Sequence, residues 1–211
     1  MTACALVGAS SFNERDFLRR RAQGAFDGVI AVDGGLAHLA RIGVAADVAM
    51  GDFDSLGYVP CDVPVVRHPP EKDDSDMALA LGYAAEHGFG EFWIYGGLGG
   101  RLDHTIANLQ EFALFSERGA RVTAIDESCA LALLTGPASL ELPAIESGTV
   151  SVFAACDQAL GVTEVGMKYG LDGFTLTSRT SRGLSNEFMG RPVRISVERG
   201  TLYVVCPLEA V

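Results

Sequence analysis

The amino-acid sequence predicts an α/β fold in two parts. The first is an N-terminal, mostly parallel α/β sheet with helices on both faces, and the second is a C-terminal all-β module of the sandwich or barrel type. In the first part, short apolar runs alternate with segments of helical pattern, as expected for parallel strands joined by helices. From residue 128 the helical pattern disappears, and short β-type runs recur between turn-forming residues. This change predicts two domains, residues 1–127 and residues 128–211.

The first domain is predicted to alternate strands and helices. Apolar runs predict strands at residues 3–9, 28–32, 47–51, 63–67, 91–95 and 121–126. Helical patterns predict helices at residues 14–23, 36–42, 77–87 and after residue 104. The helix at residues 77–87 has the clearest signal, because Asp and Ser residues suited to an N-cap precede it and Gly88 follows it.

The second domain is predicted to contain short strands only. Its β-type runs lie at residues 130–134, 140–142, 149–154, 174–177, 193–197 and 202–206. Residues 198–201, Glu-Arg-Gly-Thr, have the composition of a hairpin turn between the last two strands. This spacing is typical of a small sandwich or barrel.

Composition narrows the classes of partner. The chain of 211 residues has a formal net charge of −11 and a sequence pI of about 4.7, which argues against binding to a nucleic-acid backbone. No apolar run approaches the length of a membrane span. The five cysteines are scattered and lack C-x-x-C spacing, which favours a reducing compartment. We therefore expect a cytoplasmic protein without nucleic-acid or membrane partners.

Acidic residues and glycines follow two of the predicted strands. Asp33 precedes Gly34 and Gly35 after the second strand, and Asp52 and Asp54 follow the third. Paired glycines let a backbone approach a ligand closely. Paired carboxylates suit Mg²⁺, which takes one or two of them and fills its shell with water and substrate phosphates. The alternative is a solvated acidic turn, since a lone Asp-x-Asp pattern has many false positives.

Two further segments carry residues suited to phosphate. Lys72 stands among acids that include Asp73 and Asp76, and helix capping accounts for only part of this cluster. A glycine-rich loop at residues 96–100 lies between a strand and a helix and leads into Arg101. Such a loop exposes N–H groups at the positive end of the helix dipole, although it matches neither the P-loop pattern nor G-x-G-x-x-G. The guanidinium of Arg101 is a planar fork suited to phosphate oxygens.

These four segments are expected at one edge of the sheet, because the carboxyl ends of parallel strands share an edge. Their combination favours a metal–polyphosphate site over a set of solvated helix caps. In so acidic a chain, a polyphosphate requires metal ions and a few placed cations to neutralise both sides.

The four segments resemble, in the expected order, the motifs of the thiamine pyrophosphokinase (thiamine diphosphokinase) family. They are Ala-Val-Asp-Gly-Gly at 31–35, Met-Gly-Asp-Phe-Asp-Ser at 50–55, Lys-Asp-Asp-Ser-Asp at 72–76 and Gly-Gly-Leu-Gly-Gly-Arg-Leu-Asp-His at 96–104. Gly-Met-Lys-Tyr at 166–169 and Ser-Arg-Gly-Leu-Ser-Asn-Glu at 181–187 resemble the thiamine-side segments. Small departures are Ser75, where the family often has Thr, Ala46, where it has Pro, and Tyr169, near which some members carry Trp.

The resemblance implies Mg²⁺-dependent transfer of the pyrophosphoryl group of ATP to the hydroxyl of thiamine, giving thiamine diphosphate and AMP. The metal ligands it implies are Asp52, Asp54, Asp73 and Asp76. The ATP-binding residues it implies are Asp33, Gly34, Gly35, Lys72, Gly97, Gly99, Gly100 and Arg101. The catalytic residues it implies are Asp76, Asp103, Arg101 and Lys72. Asp103 is the candidate for orienting or deprotonating the hydroxyl, with Asp76 as the rival and His104 as a further candidate base.

The resemblance also implies a thiamine site in the β-module and a self-association. Tyr169 offers a flat aromatic face to a cationic vitamin, and Ser185 and Asn186 are implied to hydrogen-bond its pyrimidine ring. The family's thiamine pocket forms between two subunits, so a homodimer through the β-modules is expected.

Two other functions are compatible with parts of this pattern. One is a phosphohydrolase that uses Asp52 or Asp54 as its nucleophile, although Lys72 and Arg101 suit a polyphosphate better than a monoester. The other is a sensor that binds a vitamin or a nucleotide without turnover. In the sequence, such a sensor would be recognised by the absence of some of the carboxylates of the predicted site.

Overall fold

The structure is a computed structural model that describes residues 1–53, 61–67 and 74–211. These residues form two compact units. The first consists of Met1–Glu111 and Val122–Glu127, and the second of Phe112–Arg121 and Ser128–Val211. The predicted residues Asp54, Lys72 and Asp73 lie outside the described ranges.

The N-terminal part of the chain alternates strands and helices. Its strands are β1 (Thr2–Val7), β2 (Gly28–Val32), β3 (Val48–Gly51), β4 (Val65–Arg67), β5 (Phe89–Tyr95) and β6 (Arg121–Ile125). Its helices are α1 (Glu14–Ala22), α2 (Gly35–Arg41), α3 (Asp76–Glu86) and α4 (Leu102–Glu117). The strand order is β6-β5-β1-β2-β3-β4. The pairings of β1 with β2 and β5, and of β3 with β2 and β4, are all parallel.

The C-terminal part of the chain is built of antiparallel strands. They are β7 (Cys129–Thr135), β8 (Ala138–Leu142), β9 (Thr149–Ala154), β10 (Gln158–Val165), β11 (Leu171–Thr177), β12 (Asn186–Glu187), β13 (Val193–Val197) and β14 (Thr201–Pro207). A 3₁₀ turn at Leu208–Ala210 ends the chain. One group of strands has the order β12-β9-β14-β7 and the other the order β11-β10-β13-β8. The predicted fold class, a parallel α/β sheet followed by an all-β module, is confirmed.

Strand β10 corrects the sequence-based prediction, which placed no strand between residues 154 and 174. This strand is central in its sheet, where it pairs with β11 on one side and β13 on the other. It was missed because its pattern does not alternate as expected: the acidic Glu164 is buried and the apolar Val165 is exposed. Gly161, at φ +65°, further interrupts the strand signal.

A buried polar network fastens α1 to β5 in the first unit. The Asp16 carboxylate accepts hydrogen bonds from the Tyr95 hydroxyl at 2.9 Å and from Arg20 Nε at 2.8 Å. The guanidinium of Arg20 lies 4.2 Å from the ring centre of Trp93, also on β5. Burial raises the pKa of Asp16, but hydrogen bonds from Arg19, Arg20 and Tyr95 outweigh it and leave the pKa below its ordinary value. The network therefore holds the end of β5, which leads into the glycine loop.

The cysteines form no disulfide with one another. Within the described ranges, no helix is long and apolar enough to cross a membrane.

Candidate active site

A cavity of about 480 Å³ lies where the parallel strands of the first unit end. Its lining residues come from the end of β2, from the segments after β1, β2 and β5, from the start of α3 and from the first two turns of α4. They are Gly8, Ala9, Ser10, Val32, Asp33, Ser75, Asp76, Met77, Gly96, Gly97, Gly99, Gly100, Arg101, His104 and Asn108. The sheet edge that the sequence predicted to carry ligand-binding residues therefore encloses a cavity.

Two glycines in the lining of this cavity, Gly8 and Gly96, approach each other closely. A Cβ atom at Gly96 would overlap the carbonyl oxygen of Gly8, and a Cβ at Gly8 would lie 2.6 Å from the carbonyl oxygen of Gly96. Gly96 also has φ +62°, which a residue with a side chain rarely adopts. The amide of Gly8 donates to Tyr95 O at 2.8 Å, and the amide of Ser10 donates to Gly96 O at 3.1 Å. The loops after β1 and β5 are thus joined backbone to backbone.

Helix α4 holds the glycine loop from the other side. The buried Asn108 donates from Nδ2 to Gly97 O at 2.8 Å. The Thr105 hydroxyl donates to Gly99 O at 3.1 Å. With these carbonyl oxygens occupied by α4, the loop has a fixed conformation at the start of the helix, where N–H groups and the helix dipole favour an anion.

The hydroxyl of Ser10 is a buried polar group facing this loop. Within the part of the chain that the structure describes, Ser10 Oγ is inaccessible and lacks a hydrogen-bond partner. A Cβ at Gly100 would lie 2.8 Å from this oxygen, so it is the absence of a side chain at Gly100 that leaves the space between them. Because buried polar groups are rarely left unpaired, this hydroxyl is a candidate ligand-binding group.

Arg101 is held by a neighbour on the same turn. Its Nε and Nη2 donate to the two carboxylate oxygens of Asp103 at 3.1 and 2.6 Å, a bidentate pair in which both side chains are largely exposed. The hydrogen bond from Arg101 lowers the pKa of Asp103 to about 2. Asp103 is therefore ionised near neutral pH and suited to accepting hydrogen bonds.

The predicted acidic residues lie at the ends of β2 and β3 and at the start of α3. Asp33, at φ +48°, lines the cavity, and its amide donates to Met50 O at 2.7 Å, which ties the ends of β2 and β3 together. Asp52 directly follows β3 but is absent from the cavity lining. Asp76 opens α3 and lines the cavity, next to Ser75, whose hydroxyl accepts from Ala78 N at 3.1 Å as the helix N-cap.

Two predicted ATP-binding glycines lie beside the cavity and not in its lining. Gly34 occupies the N-cap position of α2, and Gly35 is its first residue. A Cβ at Gly35 would overlap the carbonyl oxygen of Val7, so packing of α2 against the end of β1 already requires glycine there.

No cluster of three or more Asp, Glu, His or Cys residues able to hold a metal ion occurs among residues 1–53, 61–67 and 74–211. Asp54 and Asp73, two of the four predicted magnesium ligands, fall in the intervening gaps. The donor set that remains, Asp52 after β3 and Asp76 in the cavity wall, consists of the oxygen ligands that Mg²⁺ prefers beside phosphates.

The predicted thiamine residues lie together in the second unit. The ring of Tyr169 is 61% exposed, and Lys168 Nζ lies 5.4 Å from its centre. The side chain of the buried Asn186 binds both backbone groups of Tyr169: its Oδ1 accepts from Tyr169 N at 3.0 Å, and its Nδ2 donates to Tyr169 O at 2.6 Å. Ser185 adopts φ +58° and exposes its side chain, while its amide donates to Ser151 Oγ at 3.0 Å.

Sequence reasoning missed Ser10, Thr105 and Asn108. The loop that contains Ser10 follows the first strand, and its position at the shared strand edge was the available signal. Thr105 and Asn108 lie in a helix that carries several other polar residues, among them Gln110 and Glu111. A polar residue at one more position of such a helix is not informative.

Fold and site together define a class: a two-part α/β protein with a ligand cavity at the carboxyl edge of a parallel sheet and a separate antiparallel module. Residues 22–124 match the family described as thiamin pyrophosphokinase, catalytic domain, and residues 139–202 match the one described as thiamin pyrophosphokinase, vitamin B1 binding domain. The chain belongs to the thiamine pyrophosphokinase family. The predicted enzyme class, thiamine diphosphokinase, is confirmed by the catalytic-domain match and by two similar proteins named thiamine pyrophosphokinase and thiamin pyrophosphokinase 1.

The relatives cover most of the chain. A thiamine pyrophosphokinase of Bacillus subtilis (strain 168) is 26% identical over 183 residues, which span 83% of this chain and 85% of the relative. The crystal structure of thiamine pyrophosphokinase from Bacillus subtilis has a TM-score of 0.82 at 24% identity, covering 98% of this chain and 99% of that one. The crystal structure of thiamin pyrophosphokinase from Geobacillus thermodenitrificans has a TM-score of 0.79 at 24% identity and covers 100% of both chains. At this identity the two crystal structures establish the fold alone.

Proposed function

We propose that this chain transfers the pyrophosphoryl group of ATP to the hydroxyl of thiamine in a Mg²⁺-dependent reaction that yields thiamine diphosphate and AMP. The observation that carries the proposal is the cavity of the first unit, whose lining includes residues from three of the four motifs shared with the family. The match of residues 139–202 to the vitamin B1 binding domain supports thiamine as the acceptor.

ATP is proposed to bind in the cavity with its phosphates at the glycine loop. The hydrogen bonds from Asn108 and Thr105 to carbonyl oxygens of this loop support a fixed phosphate cradle. The buried hydroxyl of Ser10, which faces Gly100 of this loop, is proposed to donate to a phosphate oxygen when the nucleotide is bound. Arg101 lines the same cavity, and its permanent charge suits the transferred group. Lys72 is proposed as a second cation for these oxygens.

Magnesium is proposed to be held by Asp52, Asp54, Asp73 and Asp76. When bound, it would offset the negative charge of the phosphates, which an acidic chain must otherwise tolerate. Asp76 in the cavity wall supports this assignment most directly.

The chemistry requires positioning more than covalent assistance. The hydroxyl oxygen of thiamine attacks the β-phosphorus, and the bond from that phosphorus to the oxygen bridging to the α-phosphorus breaks, so that AMP leaves with the bridging oxygen. Asp103, with its pKa lowered to about 2, is better suited to orienting the hydroxyl than to removing its proton. Asp76 and His104, which both line the cavity, are the candidate bases.

Thiamine is proposed to lie against the exposed ring of Tyr169, since a flat aromatic face attracts a cationic ring. Ser185, whose side chain is exposed, is proposed to hydrogen-bond the pyrimidine. Asn186 was predicted to do the same, but its amide already has internal partners at both ends. We therefore assign Asn186 an indirect part in the site, through the backbone of Tyr169.

A homodimer through the β-modules is proposed to complete the thiamine site. Large apolar side chains that are exposed in the β-module support this assembly; they are Val165, Tyr169, Leu184 and Met189. Light scattering on the purified protein measures the assembly directly, and a monomer at micromolar concentration would contradict it. A cytoplasmic location is proposed because the cysteines form no disulfide with one another.

The decisive experiment mixes the purified protein with MgATP and thiamine and separates the products. Equal amounts of AMP and thiamine diphosphate are expected. ADP with thiamine monophosphate would show that the γ-phosphorus is attacked and would overturn the proposed reaction. Free phosphate with a trapped phospho-aspartate would favour a phosphohydrolase, and thiamine binding without turnover would favour a sensor.

A further inference from the structure

The strand that the sequence analysis missed carries a buried acid for which the proposed reaction has no role. Glu164 on β10 is 3% exposed, whereas the apolar Val165 beside it is 57% exposed. Its strand neighbours are the apolar Leu171 on β11 and Ile195 on β13. An acidic residue in such a position costs free energy of folding unless a partner compensates for it.

The partner of Glu164 is Asn186. Asn186 Nδ2 donates to Glu164 Oε2 at 3.1 Å and to Tyr169 O at 2.6 Å. Asn186 Oδ1 accepts from Tyr169 N at 3.0 Å and from Glu187 N at 2.9 Å. Every donor and acceptor of this amide is therefore used. Nδ2 of Asn186 faces two acceptors and Oδ1 faces two donors. A flipped amide would place like groups against each other, so only one orientation of the amide is possible.

Only one oxygen of Glu164 takes part in this network. Glu164 Oε1 is buried and, among the described residues, has no hydrogen-bond partner. Burial raises the pKa of Glu164 to about 7, while the hydrogen bond from Asn186 acts in the opposite direction. Either protonation state leaves Oε2 able to accept from Asn186. In both protonation states the side chain therefore acts as a hydrogen-bond acceptor through Oε2, and Oε1 adds no second contact.

We infer that Glu164 is a positioning residue for the thiamine site: by accepting from Asn186, it fixes the amide that clamps both backbone groups of Tyr169 and so orients the exposed ring. The inference rests on the proposed function, in which Tyr169 contacts thiamine. Glu164 itself touches no substrate, because its side chain is buried. Its effect therefore falls on thiamine binding and not on the nucleotide or the chemical step.

The test compares Glu164→Met with Glu164→Gln. Methionine has similar length and no acceptor comparable to the carboxylate, so one Asn186 N–H loses its partner. Loss of one such bond is expected to raise the KM for thiamine about three- to tenfold, with kcat and the KM for ATP unchanged. Glutamine retains an acceptor oxygen and is expected to keep the wild-type KM for thiamine. In an Asn186→Ala background, Glu164→Met is expected to add nothing, because both changes break one chain of contacts.

A second measurement is independent of turnover. The amide of Tyr169, which donates to Asn186 Oδ1, is expected to exchange its hydrogen faster in Glu164→Met and at the wild-type rate in Glu164→Gln. Unchanged exchange and an unchanged KM for thiamine in the methionine variant would overturn the inference, as would equal effects on both substrates. If Glu164→Met does not fold, Glu164→Gln alone tests the inference. A tenfold rise in its KM for thiamine would overturn the inference, because the charge of Glu164 and not its hydrogen bond to Asn186 would then matter.

Failure of the proposed function is distinguishable from failure of this inference. Wild-type protein without thiamine turnover contradicts the proposed function, and the exchange of the Tyr169 amide still decides whether Glu164 fixes the clamp. Wild-type turnover with an unaffected methionine variant contradicts the inference alone.

Discussion

Replacing Asn108 with Ala tests whether the glycine loop is the nucleotide-binding element. Asn108 Nδ2 donates to Gly97 O at 2.8 Å, and Gly97 lines the cavity. The substitution removes this bond and leaves the backbone geometry of α4 intact, since Ala is the best helix former. The loop then loses the hydrogen bond from Asn108 and keeps the one from Thr105.

The expected rise in the KM for ATP follows from the loss of the donor at Asn108 and from the carbonyl of Gly97 that is left without it. A lost hydrogen bond costs about 0.5–1.5 kcal/mol, and an unsatisfied buried carbonyl costs about 1–3 kcal/mol. Because Gly97 lines the cavity, water can reach its carbonyl and relieve part of the second cost. A net loss of about 1–2 kcal/mol corresponds to about a 5- to 30-fold rise in the KM for ATP.

The assay measures AMP release while ATP and thiamine are varied separately. The KM for ATP is expected to rise and the KM for thiamine to stay constant. Gln110→Ala, an exposed position on the same helix, is the matched control and is expected to change neither. Asn108→Asp, which faces Gly97 O with an acceptor, is expected to be worse than Ala. A KM for ATP within about twofold of wild type in Asn108→Ala would refute the assignment of this loop to the nucleotide.

Three further changes probe other parts of the molecule. Tyr95→Phe removes the donor at 2.9 Å from Asp16 and is expected to lower the free energy of unfolding in urea by about 2 kcal/mol at pH 7. Because the pKa of Asp16 is lowered on folding, the contribution of its carboxylate to stability is full above about pH 4 and is lost as the pH falls through the pKa that Asp16 has in the folded protein. Equal stability of the wild type and Tyr95→Phe at pH 7 would contradict this prediction. Gly35→Ala places a Cβ against Val7 O and is expected to lower the free energy of unfolding by more than about 3 kcal/mol, which a lower melting temperature would show. An unchanged melting temperature would show instead that α2 can move to make room for the Cβ. Tyr169→Ala is expected to raise the KM for thiamine about tenfold and to leave the KM for ATP unchanged. Tyr169→Phe keeps the aromatic face, so its KM for thiamine is expected to stay near the wild-type value. Equal effects of Tyr169→Ala on the two KM values would place this ring outside the vitamin site.

Much of the fold was predictable because its elements are local and strongly patterned. The predicted bounds of β2, β9 and β13 agree with the structure residue for residue. Helix α3 carries its start signal in Ser75, which caps it as expected. Strand β2 is a continuous buried apolar run and β13 alternates buried apolar residues with polar ones, so the one-dimensional pattern contained the answer.

Strands β10 and β12 were not predictable in the same way. Strand β10 buries Glu164, which is compensated by Asn186, a residue 22 positions away in the sequence. Strand β12 contains only Asn186 and Glu187 and exists through its pairing with β9. In both cases a contact between distant residues overrides local preference, and no local pattern contains that information.

The site was predictable at the level of strand ends but not of the groups that shape them. Asp33, Asp76 and Arg101 were predicted as site residues from position and charge, and all three line the cavity. Ser10 and Asn108 gain their importance from which backbone atoms they face, Gly100 and Gly97 O respectively. The relation between Ser10 and Gly100 exists only after the loops after β1 and β5 have come together, and that between Asn108 and Gly97 only after α4 has packed against the loop after β5.

The joined loops provide a built-in spectroscopic reporter. The amide of Gly8 donates to Tyr95 O and the amide of Ser10 to Gly96 O. A movement of the backbone at Tyr95 or Gly96 would therefore change the surroundings of two amides some ninety positions earlier in the chain. Glycine amide resonances are readily recognised in a nitrogen–proton correlation spectrum, and Gly8 therefore registers events in the cavity without an attached dye or an engineered label. Titration with a non-hydrolysable nucleotide, followed at this single amide, would measure occupancy in the absence of thiamine and thereby show whether the nucleotide can bind first.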